Sequence, residues 1–129
     1  MTIVTRVLFD ESRIHPAIRP QMAAQGEAVI GEVEAAIAAH AVVVVGMGLN
    51  PFPRKARKWL DAAGIAYTYI EYGSYLGEWK KRLSLKLWLG WPTFPMIFIR
   101  GQFIGGAQDL ERLGVDAVRT AAAASSTGA

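Results

Sequence analysis

Cysteine is absent from the 129 residues. The chain can therefore form no disulfide, offer no thiolate to a metal and attack no disulfide of a partner. Histidine is nearly as scarce. His15 and His40 lie far apart and neither has a carboxylate at helical ligand spacing, which argues against zinc and for surface residues at turns and helix ends. No apolar run approaches the ~20 residues that cross a bilayer; the longest, 42–45 and 96–99, are strand-sized, so a membrane span is excluded. The first residues, MTIVTRVLFDESR, lack the basic start, apolar middle and small-residue cleavage site of a secretory signal, and cytoplasmic residence is the default expectation. Charge of either sign is modest: 14 Lys+Arg against 11 Asp+Glu leave +3, too little for a phosphate-neutralising surface, so nucleic acid is not the expected partner.

Apolar residues make up 52% of the chain, enough for one packed domain. Residues 1–20 read as an N-terminal extension, either an added edge strand or an arm, 21–120 as the domain, and 121–129 as a small-residue, disordered tail. From 21 to 40, Met22, Val29, Ile30, Val33 and Ile37 recur near helical spacing. Val42 to Val45 are all β-branched and predict a strand covered on both faces. A helix then starts at Asn50, whose side chain suits the N-cap, with Pro51 at the first helical position and Gly64 placed for its C-terminal cap. A second strand is predicted over 65–72, a third helix over 74–90, a strand over 96–100, a two-residue turn at Gly101 and Gln102, and a returning strand at Phe103 and Ile104. One last helix follows the double glycine. Strand–helix–strand before a hairpin implies an α/β fold in three layers, a mixed sheet of about four strands flanked by helices and built on one right-handed crossover.

The segments VVVVGMGLNPFPRKARKWLDAAGIAYTYIEY and WPTFPMIFIRGQFIGGAQDLERL resemble glutaredoxins over roughly 32 to 113, and WPTFP resembles the monothiol branch. The resemblance implies a thioredoxin-like fold with its active loop at the start of the helix that Asn50 opens. Where the family carries C-P-Y/F-C or a single-cysteine variant, this chain reads Asn50-Pro51-Phe52-Pro53. An amide and a proline ring cannot make the thiolate attack of disulfide exchange. Thiol–disulfide oxidoreductase activity is therefore not expected, no catalytic residue is assigned, and the protein ligand of a family iron–sulfur cluster is missing as well.

Ligand binding can outlast catalysis. By the family pattern, Thr93, Phe94 and Pro95 correspond to the segment that turns backbone toward glutathione, with Pro95 the cis candidate. Gly105 and Gly106 correspond to the pair that admits the γ-glutamyl end, where the following helix start favours a carboxylate, and Arg82 to the basic residue for the glycyl carboxylate. Against these, Met47 replaces a family lysine and Ala107-Gln108 replaces Cys-Asp. Two lost charge-assisted contacts at ~1.5–3 kcal/mol each weaken binding about a hundredfold or more. Asp109 corresponds to a second, less central acid of the family site.

Several residues admit two readings. Asn50 either caps its helix or donates its amide to the thiolate of bound glutathione, and Phe52 either lines the groove or fills space beside the loop. The basic run Arg54, Lys55, Arg57, Lys58 and the set Lys80, Lys81, Arg82, Lys86 read as solvated helix faces. The 74–90 helix carries Trp79, Leu83, Leu85, Leu87, Trp88 and Leu89, more than one buried stripe needs, which implies deep burial or a homodimer or partner surface. Three functions follow: a non-redox binding or regulatory module with weak affinity for glutathione or a similar small peptide; a transferase- or isomerase-like enzyme that uses the ligand's own thiol; or an interaction scaffold built on the 74–90 helix.

Overall fold

The computed structural model describes residues 7–24 and 26–124. A 3-10 turn, Glu11–Arg13, precedes α1 (Arg19–Ala24), α2 (Glu27–Ala39), β1 (Val42–Gly46), α3 (Pro51–Ala62), β2 (Thr68–Glu71), α4 (Trp79–Leu89), β3 (Met96–Ile99), β4 (Gln102–Gly105), α5 (Ala107–Leu113) and α6 (Val115–Ala123). The sheet order is β2-β1-β3-β4, with β1 and β2 parallel and the other pairs antiparallel. This is the mixed four-stranded, three-layer arrangement expected of the sequence.

Strand alternation explains the layers. Along β1, Val43 and Val45 face one side, where they meet Val29 and Val33 of α2, Leu85 of α4 and Phe98 of β3. Val42 and Val44 face the other, against Ala56 and Leu60 of α3, Leu110 of α5 and Val118 of α6. All five β1 residues are buried, which is why the run is continuously apolar rather than alternating. Each buried valine contributes about 1.5–3 kcal/mol relative to exposure.

Element boundaries differ from expectation where the backbone turns left-handed. The helix expected over 21–40 is two helices, because Gly26 adopts φ +72° where the chain comes so close to Ser84 of α4 that no Cβ would fit. The helix expected from residue 74 starts at Trp79, after a turn closed by Gly77 N–H donating to the Ser74 carbonyl (3.2 Å) and Glu78 at φ 56°. The strand expected from residue 65 starts at Thr68, because Ile65 N–H instead closes the end of α3 on the Leu60 carbonyl (3.0 Å), with Gly64 at φ +70°. The helix after the double glycine divides at Gly114, φ +87°.

The hairpin turn sits one residue earlier than expected, at Arg100 (φ 47°) and Gly101 (φ 83°). Positive φ at both central residues matches strand twist. Arg100 is held there by its N–H on the Ala41 carbonyl (2.7 Å) and its Nε on the Ala122 carbonyl (2.8 Å). That last bond places Ala122 in the fold, so the expected tail is helical through Ala123, while 125–129 lie outside the described residues. The expected N-terminal edge strand falls partly outside them too; Val7, Leu8 and Phe9 are exposed and in no strand.

Candidate ligand groove

One end of the sheet gathers three loops. Val45 pairs with Met96 and Ile97 with Gly105, so the end of β1, the start of β3 and the end of β4 lie side by side. Gly48 N–H donates to the Gly73 carbonyl (2.6 Å), tying the loop before α3 to the loop after β2.

The start of α3 is built as its sequence predicts. Asn50 is the N-cap, and its Oδ1 accepts from Phe52 N–H at 3.0 Å. A helix leaves the N–H groups of its N-cap and first three residues without intrahelical partners. Here Pro51 and Pro53 have none to offer and Phe52 has spent its own, so only the Asn50 N–H remains at the positive pole. Pro53 is buried against Gly46, where an added Cβ would lie 2.8 Å from the proline ring and from the Tyr69 hydroxyl. That hydroxyl donates to Glu71 Oε1 (2.9 Å), and Arg57 stands 4.1 Å over the Tyr69 ring. Burial, reinforced by the hydrogen bond to Glu71, pushes the Tyr69 phenol up to about 12.

Phe52, Thr93, Phe94, Pro95, Gly106 and Gln108 line one groove of about 250 Å³ beside this loop, and the Phe94–Pro95 bond is cis. Phe52 is exposed along the rim and Phe94 is buried in the floor. Ala107 and Asp109 also border the groove, as does Trp91, which was not among the residues expected there. Its position directly before the Pro-Thr-Phe-Pro run was the signal that could have placed it. The Trp91 ring packs edge-on against Phe103 at 5.3 Å, and its buried indole N–H has no hydrogen-bond partner among the described residues.

Three expectations need correction. Arg82 does not line the groove: it is buried, and its guanidinium donates to the Tyr72 carbonyl (3.0 Å) and the Gly77 carbonyl. It closes the loop after β2, because a cation enclosed by backbone takes the nearest carbonyl oxygens in place of water. The start of α5 does not wait for a ligand carboxylate either. Asp109 Oδ2 accepts the Gly106 N–H at 2.8 Å, so a negative charge already sits there. Gly105 holds the corner behind, at φ +103° with its α-carbon facing the Asp109 carboxylate, and does not line the groove.

Met47, at the family's lysine position, is buried in the core with Val45 and Met96. The groove is consequently mostly apolar, bordered by one carboxylate and by no lysine or arginine. His15 and His40 take the turn and helix-end places expected: His15 Nδ1 accepts from Ala17 N–H (3.0 Å), and His40 caps α2. No cluster of His, Asp and Glu able to hold a metal occurs among the described residues, and no described helix is long and apolar enough to cross a membrane.

Residues 50–104 match the family model described as Glutaredoxin. The chain is 48% identical over 81 residues to a glutaredoxin-like protein of Dictyostelium discoideum, a match covering 63% of this chain and 66% of that protein, just under two thirds of its length. It is 33% identical over 78 residues to glutaredoxin 1 of Rickettsia conorii, covering 58% of this chain and 76% of the relative. Among solved structures, a buckwheat glutaredoxin–glutathione complex superposes with a TM-score of 0.67 at 21% identity, covering 78% of this chain and 96% of that one, and shares the fold. On these matches the chain belongs to the glutaredoxin family, as a member without cysteine.

Proposed function

We propose that this chain is a non-redox binding module whose groove takes a short extended peptide, with glutathione as a weak ligand. The observation that carries the reading is the convergence of Phe52, Thr93, Phe94, Pro95, Gly106 and Gln108 on one groove beside a helix start that holds no thiol. The buckwheat protein of the same fold is described in complex with glutathione, which makes that tripeptide the first ligand to try.

The chemistry of the lining sets the affinity. Glutathione presents two carboxylates and an ammonium, yet the groove supplies no cationic side chain. Met47 and Arg82 are both buried away from it, and Gln108 offers a neutral amide. Three weakened contacts at ~1.5–3 kcal/mol each correspond to a loss of about a thousandfold or more against a fully charged site. The apolar walls and the Asp109 carboxylate at the border favour an uncharged stretch of peptide over an anionic terminus.

A transferase-like reading, in which the helix start activates the thiol of glutathione, finds less support. Thiolate stabilisation needs free N–H groups and dipole at that pole, and in α3 two prolines and the Asn50 cap have removed three of the four donors. Asn50 is then a cap in the first place.

Titration of isotope-labelled protein with reduced glutathione tests the proposal. Saturable amide shifts at Thr93, Gly106 and Gln108 are expected, tightening about tenfold in Gln108→Asp, where a charge-assisted bond to the ammonium replaces a neutral one. Absent shifts at these positions up to tens of millimolar, or reduction of a mixed disulfide faster than glutathione alone achieves, would refute it.

A further inference from the structure

We infer that the groove between α2 and α4 is the surface through which two copies of this chain pair about a two-fold axis. It lies on the face of the sheet covered by α2 and α4, and the inference stands independently of the ligand reading. Trp79, Leu83 and Leu87 recur every four residues along α4 and remain 59%, 44% and 69% exposed. Met22 of α1 and Ile30 of α2 form the opposite wall, and the space enclosed is about 470 Å³ against about 250 Å³ for the ligand groove. The two helices cannot close over it. At Gly26 the backbone already approaches Ser84 as closely as the absence of a Cβ allows.

Charge identifies the occupant. Helix α2 carries Glu27, Glu32 and Glu34 and no base, whereas α4 carries Lys80, Lys81, Arg82 and Lys86 and no acid. Some of these are committed within the chain: Glu32 accepts from the Tyr72 hydroxyl (2.7 Å), Lys81 pairs with Glu78 (2.9 Å), Arg82 holds its two carbonyls, and Lys86 stands 5.8 Å over the Phe94 ring. Glu27 and Glu34, one turn either side of Ile30, have no ion-pair partner among the described residues, nor does Lys80 on the facing wall, which stands 5.8 Å over the Trp79 ring at the head of the exposed stripe.

An acidic helix beside a basic one is complementary to its own copy once rotated by two-fold symmetry, with α2 of one chain against α4 of the other. Stacking α4 on α4 would oppose lysines, and an unrelated acidic helix would face Glu27 and Glu34. A second copy sets Glu27 and Glu34 of α2 toward a Lys80 of α4 in both directions. Trp79, at the head of the exposed stripe, is the residue type that dominates such contacts when buried.

Sedimentation of the whole chain from micromolar to millimolar concentration tests the pairing. The mass is expected to rise from one chain to two, and the doubly substituted Leu83→Asp/Leu87→Asp protein, folded by circular dichroism because both sites are exposed, is expected to stay monomeric. Glu27→Lys/Glu34→Lys is expected to weaken association about tenfold or more, and adding Lys80→Glu to recover part of that loss. A parent chain that stays monomeric throughout, or a dimer indifferent to the Leu83 and Leu87 substitutions, would overturn the inference. Charge reversals that add without recovery would overturn the α2-on-α4 geometry and with it the self-complementary basis.

Discussion

Replacing Arg82 by methionine separates the role its sequence position implies from the one its surroundings impose. The side chain is 7% exposed and donates to the Tyr72 carbonyl at 3.0 Å and to the Gly77 carbonyl, fastening both ends of the loop after β2. Hydrogen bonds from a charged donor contribute about 1.5–3 kcal/mol each, so the pair accounts for about 3–6 kcal/mol. Methionine keeps most of the buried methylene packing and leaves little cavity, while the stranded carbonyls can regain water by local opening of the loop. A loss of about 3–5 kcal/mol is therefore expected. At about 3–6 °C per kcal/mol for a chain of this size, the thermal midpoint should fall by about 10–30 °C. The assay is thermal unfolding followed by circular dichroism, with hydrogen exchange locating the opening at 73–77. A midpoint within about 2 °C of the parent, together with abolished glutathione shifts, would refute the reasoning and place the guanidinium in the groove.

Two further outcomes follow. Asn50→Ala should cost about 1 kcal/mol of stability through loss of the cap to Phe52 N–H, with glutathione shifts unchanged; lost binding at unchanged stability would make the amide a ligand donor instead. Tyr69 has a folded-state value of about 12, above its ordinary 10.0, so the stabilisation it carries is complete below pH 10 and is lost as the pH rises through about 12. Absorbance titration at alkaline pH should show a late phenolate component that Tyr69→Phe reduces, the remainder coming from Tyr72, raised by burial and its bond to Glu32, and loss of an early component instead would contradict the burial argument.

The groove was legible in one-dimensional form because most of its parts are short contiguous segments. Thr93, Phe94 and Pro95 arrive together, as do Gly106 and Gln108, and a turn or helix start fixes each group locally. Arg82 was misread because its position in the chain matches a basic residue of the family, whereas its partners are carbonyls of a loop whose course no side chain announces. Asp109 was undervalued for a related reason: its carboxylate turns back to the Gly106 N–H three residues earlier, a capping role that also keeps a ligand anion away. Trp91 borders the groove but was not among the residues the family pattern placed there, although it directly precedes the Pro-Thr-Phe-Pro run.

By itself the sequence determined what is carried in neighbouring residues: the continuous β1, the Asn50-Pro51 start of α3, the mixed sheet, and the absence of thiol chemistry, since covalent composition does not depend on folding. Tertiary structure alone decided where the helices break and which side chains reach the groove. Gly26 interrupts the first long helix because Ser84 of α4 comes up against it, and Arg100 adopts positive φ because Ala41 and Ala122 hold it. Those partners lie 58, 59 and 22 positions away along the chain, beyond the three or four residues over which helical periodicity and capping operate.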